Sequence, residues 1–243
     1  MRYLRNYLLI FIIRISNIFG RALVFKKKVF SSKVILEKNF LENETFNFVQ
    51  VGANDGISFD FLYDFVIKRK SEGVVIEPVK EYFTELTYNY RAFPEIIKVN
   101  KAVHPTERLI VINKISPSAI QKYPDWVKGI ASLDSEHHLK TGIDSNDIIQ
   151  EEVKANSLMS ILYHNLKNKK IDYFQVDTEG FDFEILKGLN FESYRPFMIK
   201  YEKVNLKASD QNQLKVYLKR HGYFLFDEFG DTIAVNLAKI KLY

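Results

Sequence analysis

Cysteine is absent from the 243 residues, so the chain has no disulfide framework, no thiolate zinc site and no cysteine nucleophile. That absence fits a reducing cytoplasm. No run of about 20 apolar residues occurs, which excludes a membrane-spanning helix. Acid is missing from one region only. Residues 1–28 carry Arg2, Arg5, Arg14, Arg21, Lys26, Lys27 and Lys28 and no Asp or Glu, so the net charge of +5 is an N-terminal property. The other 215 residues set 28 basic side chains against 30 acidic ones. Such a body lacks the positive field that tracks phosphates. A base-clamping Asn-Pro-Pro-Tyr-like motif is missing too, and nucleic acid is not expected as a partner.

What remains is the composition of a folded protein: 47% hydrophobic and 27% charged residues, in a length that suits one large domain. A chain of this size buries about 70–75% of its unfolded surface without staples.

Within residues 1–28, Leu4, Leu8, Phe11, Ile12, Ile15, Ile18, Phe19, Ala22 and Leu23 recur at helical spacing, with Arg5, Asn17 and Arg21 set off the stripe. Arg14 interrupts the apolar run that a signal peptide needs, and no small-residue cleavage site follows. Two readings stand: a helix packed on the domain, or an interfacial helix on the anionic inner face of the membrane, with Lys26–Lys28 as its electrostatic partner.

From Phe46 onward strand-like and helix-like segments alternate. The spacing predicts strands at 46–51, 74–76, 96–100, 109–112, 173–176 and 197–201. Helices are predicted at 59–70, 79–90, 158–166, 181–189 and 214–220, the last stopped by Gly222. Tyr223–Phe226 and Thr232–Val235 read as a closing hairpin around Gly230-Asp231. Between Ser116 and Asp147 periodicity fades, which marks a loop-rich cover holding the only Trp, Trp126. This alternation means an α/β fold: a mostly parallel sheet, one antiparallel strand and helices on both faces. The expected division is the helix of residues 1–28 and a single domain over 29–243.

Two motifs carry chemistry. The first is Val49-Gln50-Val51-Gly52-Ala53-Asn54-Asp55-Gly56, a glycine turn at a strand end where backbone can approach a ligand. Glu77, 21 residues past Gly56, closes the next strand, where an acid accepts from ribose hydroxyls in dinucleotide-type folds. The G-x-x-x-G spacing departs from the pyrophosphate fingerprint, and Asp55 repels an anion at that turn. A sulfonium ligand with a zwitterionic tail, S-adenosylmethionine, meets no such repulsion. The spacing, Asp55 and the missing Tyr/Lys proton-relay pair also argue against a nicotinamide oxidoreductase. The second motif, Gln175-Val176-Asp177-Thr178-Glu179-Gly180-Phe181-Asp182, delivers paired acids to another strand tip. They serve there as a general base, cation ligands or an anchor for a hydroxyl, unless one merely caps the next helix.

Together with Val75-Ile76-Glu77-Pro78, Ile185-Leu186, Tyr201-Glu202, and Trp126 followed by Gly129-Ile130-Ala131-Ser132 and His137, these motifs resemble the FkbM family of S-adenosylmethionine-dependent methyltransferases over roughly residues 46–237. The resemblance implies the Rossmann-like class I methyltransferase fold, with seven strands. It implies that Gly52, Ala53, Asn54 and Gly56 pass under the cofactor, that Glu77 holds its ribose, and that Asn100, Lys101 and Ala102 flank adenine. Gln50, Asp55, Pro78 and Asp177 complete that expected set. Gln50 stands where the wider family usually has an acid, with Asp55 as the candidate compensation.

The acceptor implied is a hydroxyl, most often on the sugar of a glycan or glycolipid. His137 is the preferred base and His138 its competitor. Asp177, Glu179 and Glu202 surround the acceptor or hold Mg²⁺, which the spacing permits without demanding. Trp126, Ser132, His138 and Thr178 are the expected acceptor contacts. His104, His164 and His221 are read as structural. The competing function is a non-catalytic cofactor-binding partner in a glycan-synthesis complex.

Overall fold

The computed structural model describes residues 2–18, 30–167 and 169–241. Its elements are, in chain order, α1 (Arg2–Ile18), α2 (Ser32–Asn39), β1 (Thr45–Val51), α3 (Leu62–Val66), β2 (Lys70–Ile76), α4 (Lys80–Asn89), β3 (Ile96–Val99), β4 (Ala102–Val103), β5 (Leu109–Ile115), β6 (Ile148–Asn156), α5 (Leu158–Leu166), β7 (Tyr173–Val176), α6 (Asp182–Lys187), β8 (Met198–Glu202), α7 (Ala208–Arg220), β9 (Tyr223–Glu228) and β10 (Asp231–Asn236).

β1 is buried on both faces from Phe46 to Val51, as its near-continuous apolar sequence requires of a central parallel strand. It lies in a seven-stranded sheet of order β3-β2-β1-β7-β8-β10-β9. β10 runs antiparallel to both β8 and β9, and the other pairs are parallel. Val49, Val51, Phe174, Val176 and Ile199 pack on one face with residues of α5, α6 and α7. Phe46, Phe48, Tyr173 and Met198 pack on the other with residues of α1 to α4. The expected α/β architecture is the observed one.

Several bounds differ from the sequence reading. The helix expected over 59–70 shrinks to α3, because Lys70–Gly73 extend β2 and pair with Thr45–Phe48. β5 leaves the main sheet and joins β4 and the unanticipated β6 in a small sheet of three. β6 is mostly polar (Ile-Ile-Gln-Glu-Glu-Val-Lys-Ala-Asn), so it carries no apolar run to read. α7 starts six residues early, through Ala208–Gln213, where no apolar period exists. The cover over 116–147 consists of four short 3₁₀ turns with its own core of Ala119, Val127, Ile130 and Ile143 against Ile115. Buried Lys114 on β5 bridges Glu81 of α4 (2.6 Å) and Glu151 of β6, tying the small sheet to the main body.

α1 attaches by the side opposite its apolar stripe. Asn6 is fully buried and its Nδ2 donates to the carbonyls of Leu237 and Ile240, both at 3.0 Å. Ile10 packs beside it, while Leu4, Leu8, Phe11, Ile12 and Ile15 are exposed. The helix thus packs on the domain, with these five residues of its stripe facing away. Phe19, Arg21, Ala22, Leu23 and Lys26–Lys28 lie outside the described residues.

Candidate active site

Beyond the carboxyl ends of β1, β2, β7 and β8 lies a cavity of about 500 Å³, within the range of small-molecule sites. One end is built around Gly52. Its N–H and that of Ala53 both donate to the Ile76 carbonyl at 3.0 Å, which fastens the turn to the tip of β2. Gly52 has φ +75°, and a Cβ there would stand 1.7 Å from the Asp177 carbonyl oxygen, so no other residue fits. Glu77 follows β2 and is 5% exposed. Its Oε2 accepts from the Asn54 N–H and its Oε1 from the Val79 N–H, each at 2.9 Å. Burial pushes its pKa up to about 7, and those two hydrogen bonds oppose the shift. Asn100 Nδ2 secures this corner from behind, donating to the carbonyls of Glu77 (2.9 Å) and Pro78 (3.0 Å).

The other end is acidic. Asp177 and Glu179 leave β7, and Glu202 ends β8. One carboxylate oxygen of each lies within 4.8 Å of the others, a spacing that also suits oxygen ligands of a hard cation. Asn205 Nδ2 donates to Glu179 Oε2 (2.6 Å) and Glu202 Oε1 (2.9 Å). His137 Nε2 lies 3.0 Å from Glu179 Oε2. Burial raises the pKa of Asp177 far above the carboxylate range, with Glu202, Asp182 and Glu179 adding to it; Glu202 is raised for the same two reasons. Like charges this close do not all ionise cheaply. Beneath them Asp182 is fully buried and accepts from Thr178 Oγ1 (2.7 Å), Thr178 N (3.2 Å) and Glu202 N (3.0 Å). It locks the β7 loop to β8, and burial pushes its own pKa to about 6. Glu179 has φ +54°, a conformation uncommon outside glycine that concentrates at functional sites.

Between the two ends, Gln50, Gln175 and Lys200 sit in register on β1, β7 and β8. Asp60 Oδ2 accepts from Gln50 Nε2 (3.1 Å) and Gln175 Nε2 (2.6 Å), while Oδ1 accepts from Leu62 N (2.7 Å). Lys200 pairs with Asp231 at 3.0 Å. Burial opposes the charge on Lys200, but Asp231, Asp60 and Asp177 together hold its pKa above the ordinary lysine value. The cover meets both ends. Asn54 Nδ2 donates to the Lys128 carbonyl (2.8 Å), and Ser132 Oγ donates to the Glu179 carbonyl (2.9 Å).

Of the residues singled out from sequence, Gln50, Gly52, Ala53, Asn54, Glu77, Pro78, Lys101, Ala102, Trp126, Ser132, His137, Asp177, Thr178, Glu179 and Glu202 line this one cavity. Asp55, Gly56, Asn100 and His138 are not among its lining residues. The Asp55 carboxylate closes its own turn, accepting from Ile57 N, Ser58 N and Ser58 Oγ. Asp60, not Asp55, is the acid against Gln50. Gly56 lies under Tyr90, whose ring would meet a Cβ at 2.7 Å. His138 Nε2 turns to Ser145 Oγ at 2.9 Å.

Asp60, Lys200, Asp231 and Asn205 also line the cavity and were missed. Only Lys200 left a trace in the sequence, as a lone charge inside the buried strand Met198–Glu202. His104 stacks on Phe181 and His221 on Phe191, with ring centroids 5.2 and 4.2 Å apart.

A family profile described as the methyltransferase FkbM domain matches residues 50–225. The fold is similar to the crystal structure of methyltransferase FkbM from Methylobacillus flagellatus, with a TM-score of 0.50 and 14% identity over 80% of this chain. This chain spans 44% of that protein's length. Fibrillarin from Methanococcus jannaschii matches at a TM-score of 0.43 and 13% identity, covering 86% of this chain and 75% of its own. Aeropyrum pernix fibrillarin, solved with natively bound S-adenosyl-L-methionine, matches at 0.40 and 10% identity, covering 82% and 71%. No curated protein matches the chain.

Proposed function

The chain belongs to the FkbM methyltransferase family, and from that premise we propose that it methylates a hydroxyl on a sugar of a glycan or glycolipid, using S-adenosylmethionine. The observation that carries this reading is one cavity with two chemically different ends: a glycine turn fastened to a buried acid, and a carboxylate cluster open to an acceptor. The residues fit the cofactor. The floor at Gly52 is a cradle that a single Cβ would fill, Glu77 offers a buried carboxylate for ribose hydroxyls, and the acid-rich lining suits a sulfonium rather than a phosphate. Bound there, the cofactor supplies an electrophilic methyl group.

The chain's own contribution is orientation and proton transfer. Holding acceptor and donor in line is worth up to about 7–11 kcal/mol in favourable cases. Asp177 and Glu202 accept from or donate to acceptor hydroxyls, because their raised pKa values keep protons available near neutrality. Glu179, held by Asn205 and His137, takes the proton that the acceptor oxygen loses as it gains the methyl group. A carboxylate so placed against an imidazole makes the pair, rather than His137 alone, the base. Trp126, at the mouth and half exposed, presents a ring face for a sugar to stack on.

The test is calorimetric titration with S-adenosylhomocysteine, NAD and NADP in turn, each with and without Mg²⁺. It is followed by transfer of labelled methyl from S-adenosylmethionine to glycan and lipid fractions. The expected result is micromolar binding of S-adenosylhomocysteine alone and label in a carbohydrate fraction, lost in Glu179→Gln with cofactor binding kept. Binding of a nicotinamide cofactor overturns the reading. So does labelling of protein or RNA instead of carbohydrate.

A further inference from the structure

We propose that the outward face of α1 docks on an anionic lipid surface. The helix is amphipathic in the unusual sense described above. The side that carries buried Asn6 and Ile10 faces the domain, and the arc of Leu4, Leu8 and Phe11 faces away. Leu4 is 73% exposed, Leu8 56% and Phe11 52%, with Tyr7 and Ile15 on the same arc. At 3.6 residues per turn these positions fall within one arc of about 100°, which runs from Leu4 to Ile15. Folding alone does not produce this arrangement. A helix held only by the hydrophobic effect turns its most apolar arc inward, whereas this one is held by Asn6 and by Ile10 and Leu9 against the core, and leaves that arc uncovered.

Charge identifies the occupant. Arg2, Arg5 and Arg14 lie within the helix, and no acid precedes Glu37 in the chain. A second copy meeting this face would bring exposed Arg5, beside the apolar arc, against its own counterpart, with no acid of either helix between them. A sheet of anionic headgroups over hydrocarbon supplies both the counter-charge and the apolar bed. Tyr3 and Tyr7, stacked with centroids 6.3 Å apart, have the amphipathic rings found where headgroups meet acyl chains. Seventeen residues make a helix of about 25 Å, short of the roughly 30 Å hydrocarbon core, and no helix among the described residues is long and apolar enough to cross a membrane. The helix therefore lies along the surface.

The test is co-sedimentation of the full chain with vesicles of phosphatidylcholine alone and of phosphatidylcholine mixed with phosphatidylglycerol. Binding to the mixed vesicles is expected to exceed binding to the neutral ones by about tenfold or more and to weaken as salt is raised. Leu8→Glu with Phe11→Glu should abolish it while the thermal melting curve stays unchanged, since both side chains are exposed. Arg5→Glu, which spares the apolar arc, should remove the preference for anionic vesicles. Equal binding to both vesicle types, or none, overturns the proposal. So does a chain that elutes as a dimer and is made monomeric by Leu8→Glu with Phe11→Glu.

Discussion

The two ends of the cavity are built on opposite plans. Around Gly52 and Glu77 nearly every bond involves backbone: two N–H groups on one carbonyl, a carboxylate accepting two N–H groups, and a Cα lying against a carbonyl. Around Asp177, Glu179 and Glu202 the bonds join side chains drawn from β7, β8, the loop after β8 and the cover. Polar atoms are left over there, with Glu202 Oε2 and His137 Nδ1 buried without a partner. The first end is rigid and complete before any ligand arrives. The second holds unspent hydrogen-bonding capacity and repelling acids, which is what a site retains when a ligand is to complete it.

The sharpest way to break this contrast is to fill the rigid end. Gly52→Val places branched carbon where the Asp177 carbonyl stands. S-adenosylhomocysteine affinity should fall by more than about 100-fold in calorimetry, since the loop must move or the ligand be excluded. Next in size is protonation of Glu77. In the proposed complex ribose hydroxyls would donate to the ionised carboxyl, and burial pushes the free group's pKa up to about 7. Affinity should therefore be level above that pH and fall below it, by about tenfold from pH 8 to pH 6. Glu77→Gln should flatten the profile.

At the acidic end the effect is on stability. Asp177, Asp182 and Glu202 keep protons to higher pH in the folded chain than in the unfolded one. The folded state thus binds more protons, and stability is lost as pH climbs from about 4.5 through those raised values. Melting temperature should decline from pH 5 to pH 8, and Asp177→Asn should raise it at pH 8 by about 3 °C. The smallest expected effect belongs to Asp55→Asn. An amide oxygen can replace the carboxylate oxygen that accepts from Ile57 and Ser58, and S-adenosylhomocysteine affinity should change less than about twofold.

The same contrast explains what could be read from sequence. Gly52, Glu77, Asp177 and Glu179 were legible because each sits at the end of a buried apolar strand, where local pattern and topology locate a residue together. Gln50 was legible as a departure, but its partner was not. Asp60 lies in an irregular stretch with no periodicity, and Asp55 was nearer in sequence. Asn205 reaches the cavity from the loop after β8, and Asp231 opens β10 opposite Glu202, a placement that the antiparallel register creates. His137 was placed in the cover correctly, but its bond to Glu179 depends on how four 3₁₀ turns fold over the sheet, and no short-range rule fixes that. The facing of α1 was not legible for a related reason. A hydrophobic stripe shows which face is apolar, not which face the domain takes.

The cover is joined to the glycine end by one side-chain hydrogen bond, from Asn54 Nδ2 to the Lys128 carbonyl, and to the acidic end by Ser132 Oγ on the Glu179 carbonyl and His137 Nε2 against Glu179 Oε2. Any amino acid presents the same carbonyl at position 128. Apart from Ser132 and His137, these hydrogen-bonded seams ask nothing of the segment's own side chains, and descendants of such a protein can rewrite the rest of residues 116–147 while inheriting an intact floor. Diversification here needs no rebuilding of the sheet, only a different roof set on the same three pegs.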